Sequence, residues 1–223
     1  MPARAAPCAS EVAAPLRRCR ASAILAAVNQ ADPPPTWKER LLDVPFDVPR
    51  GAWLGRVVAW ILMALWGSSV ALDRMTEPPA TLHLTLILFH EAGHVLFAPF
   101  GELMQVAGGT LVQLLMPFAC AVALFRRADN FGAALCVAWT GMSLMDASVY
   151  AFDAAQPVLP LIGGGTGADG FHDFVFLFER FGELHHARGW ARAMKGLGVL
   201  VLLASLAWGA VLLALQKANL ASR

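Results

Sequence analysis

The chain has 223 residues, 57% of them hydrophobic and 15% charged, with 17 Lys and Arg against 16 Asp and Glu for a net charge of +1; mean hydropathy is +0.56. Soluble domains average about 45–50% apolar and about 25% charged residues. The composition therefore excludes an ordinary soluble domain and makes the lipid bilayer an expected partner, while the near-neutral charge excludes nucleic acid.

The expected fold is all-α, a polytopic membrane helical bundle of about five transmembrane helices. Residues 1–50 carry Pro2, Pro7, Pro15, Pro33, Pro34, Pro35, Pro45 and Pro49 together with Arg17, Arg18 and Arg20, which reads as a flexible Pro/Arg-rich tail ahead of a membrane domain over 51–223. Ala52–Leu72 is the first span, with Trp53, Trp60 and Trp66 at packing or interfacial positions. Ala80–Phe100 is the second; Pro78 and Pro79 open it, and Pro99 and Gly101 end it. Ala107–Phe125 is the third, with Gly108, Gly109, Thr110 and Gln113 as polar or small residues that should face protein rather than lipid.

Phe131–Phe152 is the fourth span. Asp146, Tyr150 and Asp153 recur at i, i+4 and i+7 and so share a face. A long connection, Gln156–Arg192, follows. Its Gly163-Gly164-Gly165-Thr166-Gly167 run lacks the Lys-Ser/Thr of a phosphate loop, which excludes that mode of nucleotide binding. An amphipathic interfacial helix is expected over Phe171–Ala187, with His172, Glu179 and Glu183 on one side. Leu197–Gln216 is the fifth span, uncharged until Lys217. If crossings alternate, the N-terminus and the Gln156–Arg192 connection share a side, both basic, and Arg126 and Arg127 face the other. The expected setting is an integral protein of a bacterial inner (cell) membrane.

The chemistry is concentrated in the second span. Phe89-His90-Glu91-Ala92-Gly93-His94 is an H-E-x-x-H motif within an apolar run. On a helix His90 and His94 share a face and can ligate one Zn2+, with Glu91 placed to take a proton from water. In lipid such groups cost several kcal/mol, so chance retention is a poor explanation. His83 lies two turns, about 10 Å, from His90 and is too far to join the same ion. Cys8, Cys19, Cys120 and Cys136 form no C-x-x-C pair and offer no cysteine zinc site.

A catalytic zinc takes three protein ligands and an open position. Asp146 is the first choice for the third. The second and fourth spans should run parallel, and counting residues from their starts puts Asp146 at the depth of His90 and His94. His172, Asp173, Glu179 and Glu183 are rivals should the long connection fold back over the site. Tyr150 is a candidate oxyanion donor, and Asp153 sits about two turns beyond Asp146.

These residues resemble the site-2-protease group of membrane zinc metallopeptidases. The likeness rests on Phe89 to His94 in an apolar helix and on an aspartate in a later helix, within Ser143-Leu144-Met145-Asp146-Ala147, and it covers roughly residues 80–153. It implies two histidines and an aspartate on zinc, a glutamate as general base, and cleavage of a membrane-spanning or membrane-adjacent protein or peptide substrate. The group's second motif runs close to Asn-Pro-x-x-Asp-Gly, whereas Ala147 follows Asp146 here. Two other classes are open: a membrane di-iron hydroxylase or desaturase, for which His185-His186 would add ligands to His90 and His94, and a non-catalytic metal-binding membrane scaffold.

Overall fold

Prolines, glycines and short polar segments cut this chain into helices. The computed structural model describes residues 35–160, 165–168 and 171–222; the tail expected over residues 1–50 and the glycine run at 163–167 fall partly outside them. Among the described residues the helices are α1 (Trp37–Leu42), α2 (Arg50–Leu72), α3 (Ala80–Phe97), α4 (Glu102–Arg126), α5 (Asn130–Asp153), α6 (Asp173–Arg180) and α7 (Ala187–Ala221). No strand is present among them; an isolated antiparallel bridge joins Pro160 and Thr166. A reciprocal cap starts α1, where Thr36 N donates to Glu39 Oε2 and Glu39 N to Thr36 Oγ1.

Five helices are long and apolar enough to cross a membrane, matching the five expected spans with small shifts. The third begins at Glu102 rather than Ala107, because Gly101 takes φ +92 and turns the chain directly from the 3-10 end of α3 into α4. The last starts at Ala187, so its first turns precede the apolar run. The helix expected over Phe171–Ala187 stops at Arg180, since Gly182 adopts φ +71 and breaks it. The compact unit that holds the bundle begins at Leu41. Val48 is buried there, Trp208 Nε1 donates to Leu41 O and Asn130 Nδ2 to Asp43 O, so residues 41–49 pack on the bundle as well.

Helix α5 is the centre. Of its apolar window 56% is buried, against 11% for α2 and 22% for the α3 span. It meets α7 through glycines: a methyl on Gly141 would sit 2.8 Å from Gly198 O, and one on Gly198 2.7 Å from Gly141 O. Only hydrogen side chains allow that approach. Gly93 of α3 and Gly108 of α4 face each other in the same way. The outer surface is apolar, with Leu84, Leu88, Val95, Leu200 and Leu203 all exposed, as a bilayer requires of its lipid-facing side chains.

The contacts fix helix directions. Trp53 Nε1 donates to Leu213 O and Trp60 Nε1 to Leu206 O, so α2 is antiparallel to α7. Gly141 lies by Gly198 and Ala134 by Gly209, so α5 is antiparallel to α7 as well and parallel to α2. Gly93 pairs with Gly108 while His90 pairs with Gln113, making α3 antiparallel to α4; α4 is in turn antiparallel to α5 through Gln113 with Ser143 and Leu124 with Gly132. Spans two and four are therefore parallel, as expected. However, α2 and α3 also run in the same sense, so the simple alternation that put the N-terminus and the long connection on one side is not what the helix directions give. Asp73 to Pro79 is not a hairpin turn but a break. Non-helical backbone at membrane depth must be buried in protein or line a wet cavity. Here Lys195 Nζ donates to Asp73 O, and Pro78 and Ala80 line a cavity.

Candidate metal centre

His90 and His94 lie one turn apart on the inner face of α3, with ring centroids 4.8 Å apart and planes near perpendicular. His90 is buried and His94 half-buried. Each ring has one nitrogen committed to an acceptor. His90 Nδ1 is 3.1 Å from Gln113 Oε1, and His94 Nδ1 is 2.9 Å from Gln105 O. A carbonyl oxygen only accepts, so both Nδ1 atoms carry a proton, and in the neutral rings both Nε2 atoms present lone pairs. The orientation of the Gln113 amide is fixed independently, because its Nε2 donates to Asp146 Oδ2 at 2.9 Å and to Ser143 O at 3.4 Å.

Those two lone pairs converge on a third acceptor. Asp173 Oδ2 lies 2.9 Å from His90 Nε2 and 3.3 Å from His94 Nε2. For a metal held tetrahedrally at about 2.0–2.1 Å, neighbouring ligand atoms stand about 3.3 Å apart. Asp173 Oδ2 stands near that spacing from each Nε2, an arrangement that a shared cation would hold together, whether a proton on one imidazole or a metal ion. Gly109 of α4 packs directly against both rings: a Cβ at that position would come within 2.7 Å of His94 Nε2 and 2.8 Å of His90 Nε2, so a side chain there would crowd them. The donor set fits a divalent metal ion. Glu91 belongs to the same group; His90, Glu91 and His94 each offer a ligand atom, all within 4.8 Å of one another.

Asp173 reaches the site from outside the bundle. It is the first residue of α6, whose N-cap is His172; His172 Nδ1 accepts from Val175 N at 3.3 Å. Burial pushes the His172 imidazole below its ordinary pKa, which keeps it neutral and able to cap.

The polar face expected on α5 exists, and it supports the ligands from behind. Tyr150 OH accepts from Asp173 N at 3.4 Å, and its ring stacks on His172 with centroids 4.0 Å apart. Asp153 Oδ1 accepts from Val158 N and Leu159 N, and Asp153 Oδ2 faces His172 Nε2 at 3.3 Å. Both ends of the connection are thus tied to the last turns of α5.

Asp146 makes its hydrogen bonds to His83 and Gln113 rather than to His90 or His94. His83 Nδ1 lies 3.2 Å from each of its carboxylate oxygens, and Asp146 reaches His90 only through Gln113. Residue counts from the helix starts ignore axial stagger. Tyr150, not Asp146, is the α5 residue whose ring approaches His90, at 6.1 Å between centroids. The acid at the histidines is Asp173, one of the expected rivals; Glu179 and Glu183 make no contact with either histidine, and Glu183 instead accepts from Trp190 Nε1. The sequence has Gln113 and Gly109 facing protein, but no pattern in it assigns them to this site. The one legible signal is an amide inside an otherwise apolar run.

A cavity of about 320 Å³ adjoins the centre. His83, His90, Glu91, Thr110, Asp146 and Tyr150 are among the residues that line it. His185 and His186 lie elsewhere, in the 3-10 turn before α7, where His186 Nδ1 bonds Glu183. No protein-family model, no curated protein and no solved structure matches this chain.

Proposed function

We propose that the chain is an intramembrane zinc metalloprotease in which His90, His94 and Asp173 hold the ion and Glu91 is the general base. The observation that carries the reading is the convergence of His90 Nε2, His94 Nε2 and Asp173 Oδ2, with Glu91 grouped with the two histidines and lining, together with His90, a cavity inside a bundle of apolar helices. Two imidazoles and one carboxylate are a set from which zinc sites with an open position are built. Bound zinc would supply Lewis acidity, polarising a carbonyl and bringing the pKa of water toward about 7.

The chain's own groups do the rest. Glu91 is exposed to the cavity and free of the hydrogen bonds that tie up His90 and His94. It takes the proton from the attacking water and returns it to the departing amine. Asp173 and the two histidines fix the reacting centre, since each is held at a second atom: His90 by Gln113, His94 by Gln105 O, Asp173 by Tyr150 at its backbone N–H. The cavity also selects the form of the substrate. An intact helix is about 10–12 Å across, too wide for about 320 Å³, whereas a short extended segment fits. A membrane-spanning substrate must therefore unwind locally, which also frees its peptide carbonyls. The Asp73–Pro79 break beside the cavity gives water a polar way in.

The di-iron reading has no second histidine cluster at this site, because His185 and His186 sit at the turn before α7. The scaffold reading remains an outcome of the test. The purified chain in lipid nanodiscs should carry one zinc, by elemental analysis, and cleave an unstructured reporter peptide joined to a transmembrane segment. Glu91→Gln should keep the zinc and lose cleavage by several orders of magnitude. Cleavage undiminished in Glu91→Gln would sink the mechanism, and a zinc-loaded chain that cleaves nothing would favour the scaffold.

A further inference from the structure

A buried polar chain runs away from the metal centre on the side opposite Asp173. His90 Nδ1–H donates to Gln113 Oε1 at 3.1 Å, Gln113 Nε2–H donates to Asp146 Oδ2 at 2.9 Å, and His83 Nδ1–H donates to the same carboxylate at 3.2 Å. Gln113 is 4% exposed and Asp146 3%. Burying an amide and a carboxylate in a membrane bundle is unfavourable unless each is bonded. Here the bonds are not scattered. They form one series in which Asp146 accepts from both Gln113 and His83, and whose only metal-facing end is the His90 ring.

We infer that Gln113, Asp146 and His83 are positioning residues that fix the tautomer and ring orientation of His90, an inference that rests on the metal reading above. The reasoning follows from hydrogen-bond capacity. A neutral imidazole has one N–H, and whichever nitrogen keeps it cannot ligate. Gln113 Oε1 claims that proton for Nδ1 and leaves Nε2 bare. An amide can rotate and present NH₂ instead, which would select the wrong tautomer. Asp146 Oδ2 and Ser143 O, both acceptors, bar that rotation by binding the amide NH₂. Asp146 is itself held by His83, which lines the cavity. His94 needs no such device, because its Nδ1 is held by a backbone carbonyl, Gln105 O, which cannot rotate. The aspartate in the fourth span thus acts two bonds away from His90, through an amide, instead of on the ion.

The test uses zinc affinity by chelator competition on the full chain in nanodiscs, together with ¹⁵N histidine spectra of the metal-free chain, which separate Nδ1–H from Nε2–H rings. Gln113→Leu should weaken zinc binding about 10–100-fold, the usual effect of losing an outer hydrogen-bond partner, and should mix the His90 tautomers. The paired exchange Gln113→Glu with Asp146→Asn swaps amide and carboxylate and gives up only the long 3.4 Å bond to Ser143 O, because the carboxylate on α4 can accept both from His90 and from the new amide on α5. It should recover most of the affinity and the single Nδ1–H signature. Unchanged affinity in Gln113→Leu, or a paired exchange no better than Gln113→Leu, would overturn the relay while leaving the metal centre standing. No zinc on the unaltered chain would instead remove the metal reading and the inference with it.

Discussion

Helices α3 and α5 lie side by side and run in the same direction, yet they carry polar groups through an apolar bundle by opposite means. α3 is thinly covered. Its outer face shows Leu84, Leu88 and Val95 to the surroundings, and only one face, with His83, His90 and His94, turns inward. α5 is the most buried helix and holds Ser143, Asp146, Ser148 and Asp153 out of contact with solvent. Its serines satisfy themselves on their own helix, Ser143 Oγ on Trp139 O and Ser148 Oγ on Met145 O. Its acids reach across to other elements. The difference teaches where polar groups are presented and where they are braced: the exposed helix presents the candidate ligands, and the buried helix immobilises them. A ligand on a thinly packed helix has few neighbours to hold its rotamer, so the bracing must come from a rigid partner.

The sharpest way to break that comparison is to weigh its two aspartates against each other. Asp173→Ala removes an atom that stands 2.9 and 3.3 Å from the two Nε2 atoms. Asp146→Ala removes one that acts only through Gln113. Zinc affinity should collapse in Asp173→Ala, by far more than the roughly 10–100-fold expected when an outer partner is lost. Asp146→Ala should fall within that smaller range. If the order is reversed, Asp146 is the ligand, α5 is more than a brace, and Asp173 needs another role.

The placement of Asp173 also shows what can and cannot be read from the sequence. The five spans are legible because about 20 apolar residues have few other uses, and the shared face of His90 and His94 follows from helical period alone. The shared face of Asp146, Tyr150 and Asp153 on α5 is legible for the same reason. Two things are not. Local period says nothing about the axial stagger between two helices, and that stagger puts Tyr150, not Asp146, beside His90. Loop length also does not give direction: Asp73 to Pro79 is long enough for a hairpin, yet α2 and α3 run the same way. Asp173 arrives through a connection whose path depends on Asp153 gripping Val158 and Leu159 and on His172 capping α6. Those tertiary bonds leave no periodic trace in the sequence.

A smaller perturbation tests the close approach of Gly109 rather than the ligands. Gly109→Ala adds a methyl that would sit 2.7 Å from His94 Nε2 and 2.8 Å from His90 Nε2, inside ordinary contact distance. Each neighbour is a ring fixed at its Nδ1, so neither can swing away without losing a hydrogen bond. The substitution should lower zinc affinity, by up to about 100-fold if it disturbs both rings as the loss of an outer partner does. α4 itself should be unharmed, since Ala is a better helix former than Gly. Helical content by circular dichroism should stay at the unaltered level. Zinc bound as tightly as before would mean that the ion lies away from Gly109, on the Glu91 side of the histidines.

The weakest brace is Tyr150, and it separates the two ways α5 holds the connection. Tyr150→Phe keeps the ring, its stack on His172 at 4.0 Å and its edge contact with Phe174 at 5.7 Å. It deletes only the acceptor for Asp173 N, a bond already long at 3.4 Å. A neutral hydrogen bond contributes about 0.5–1.5 kcal/mol net, so the loss in zinc affinity should be less than about tenfold. Tyr150→Ala removes the stack as well and should cost more, because His172 then loses the surface that keeps its ring buried and its Nδ1 aimed at Val175. If Phe and Ala behave alike, the hydroxyl is the whole of the brace. If Phe is silent and Ala is not, the connection is docked chiefly by the aromatic stack, and the Tyr150 hydroxyl is left for the cavity, which the side chain lines beside Glu91.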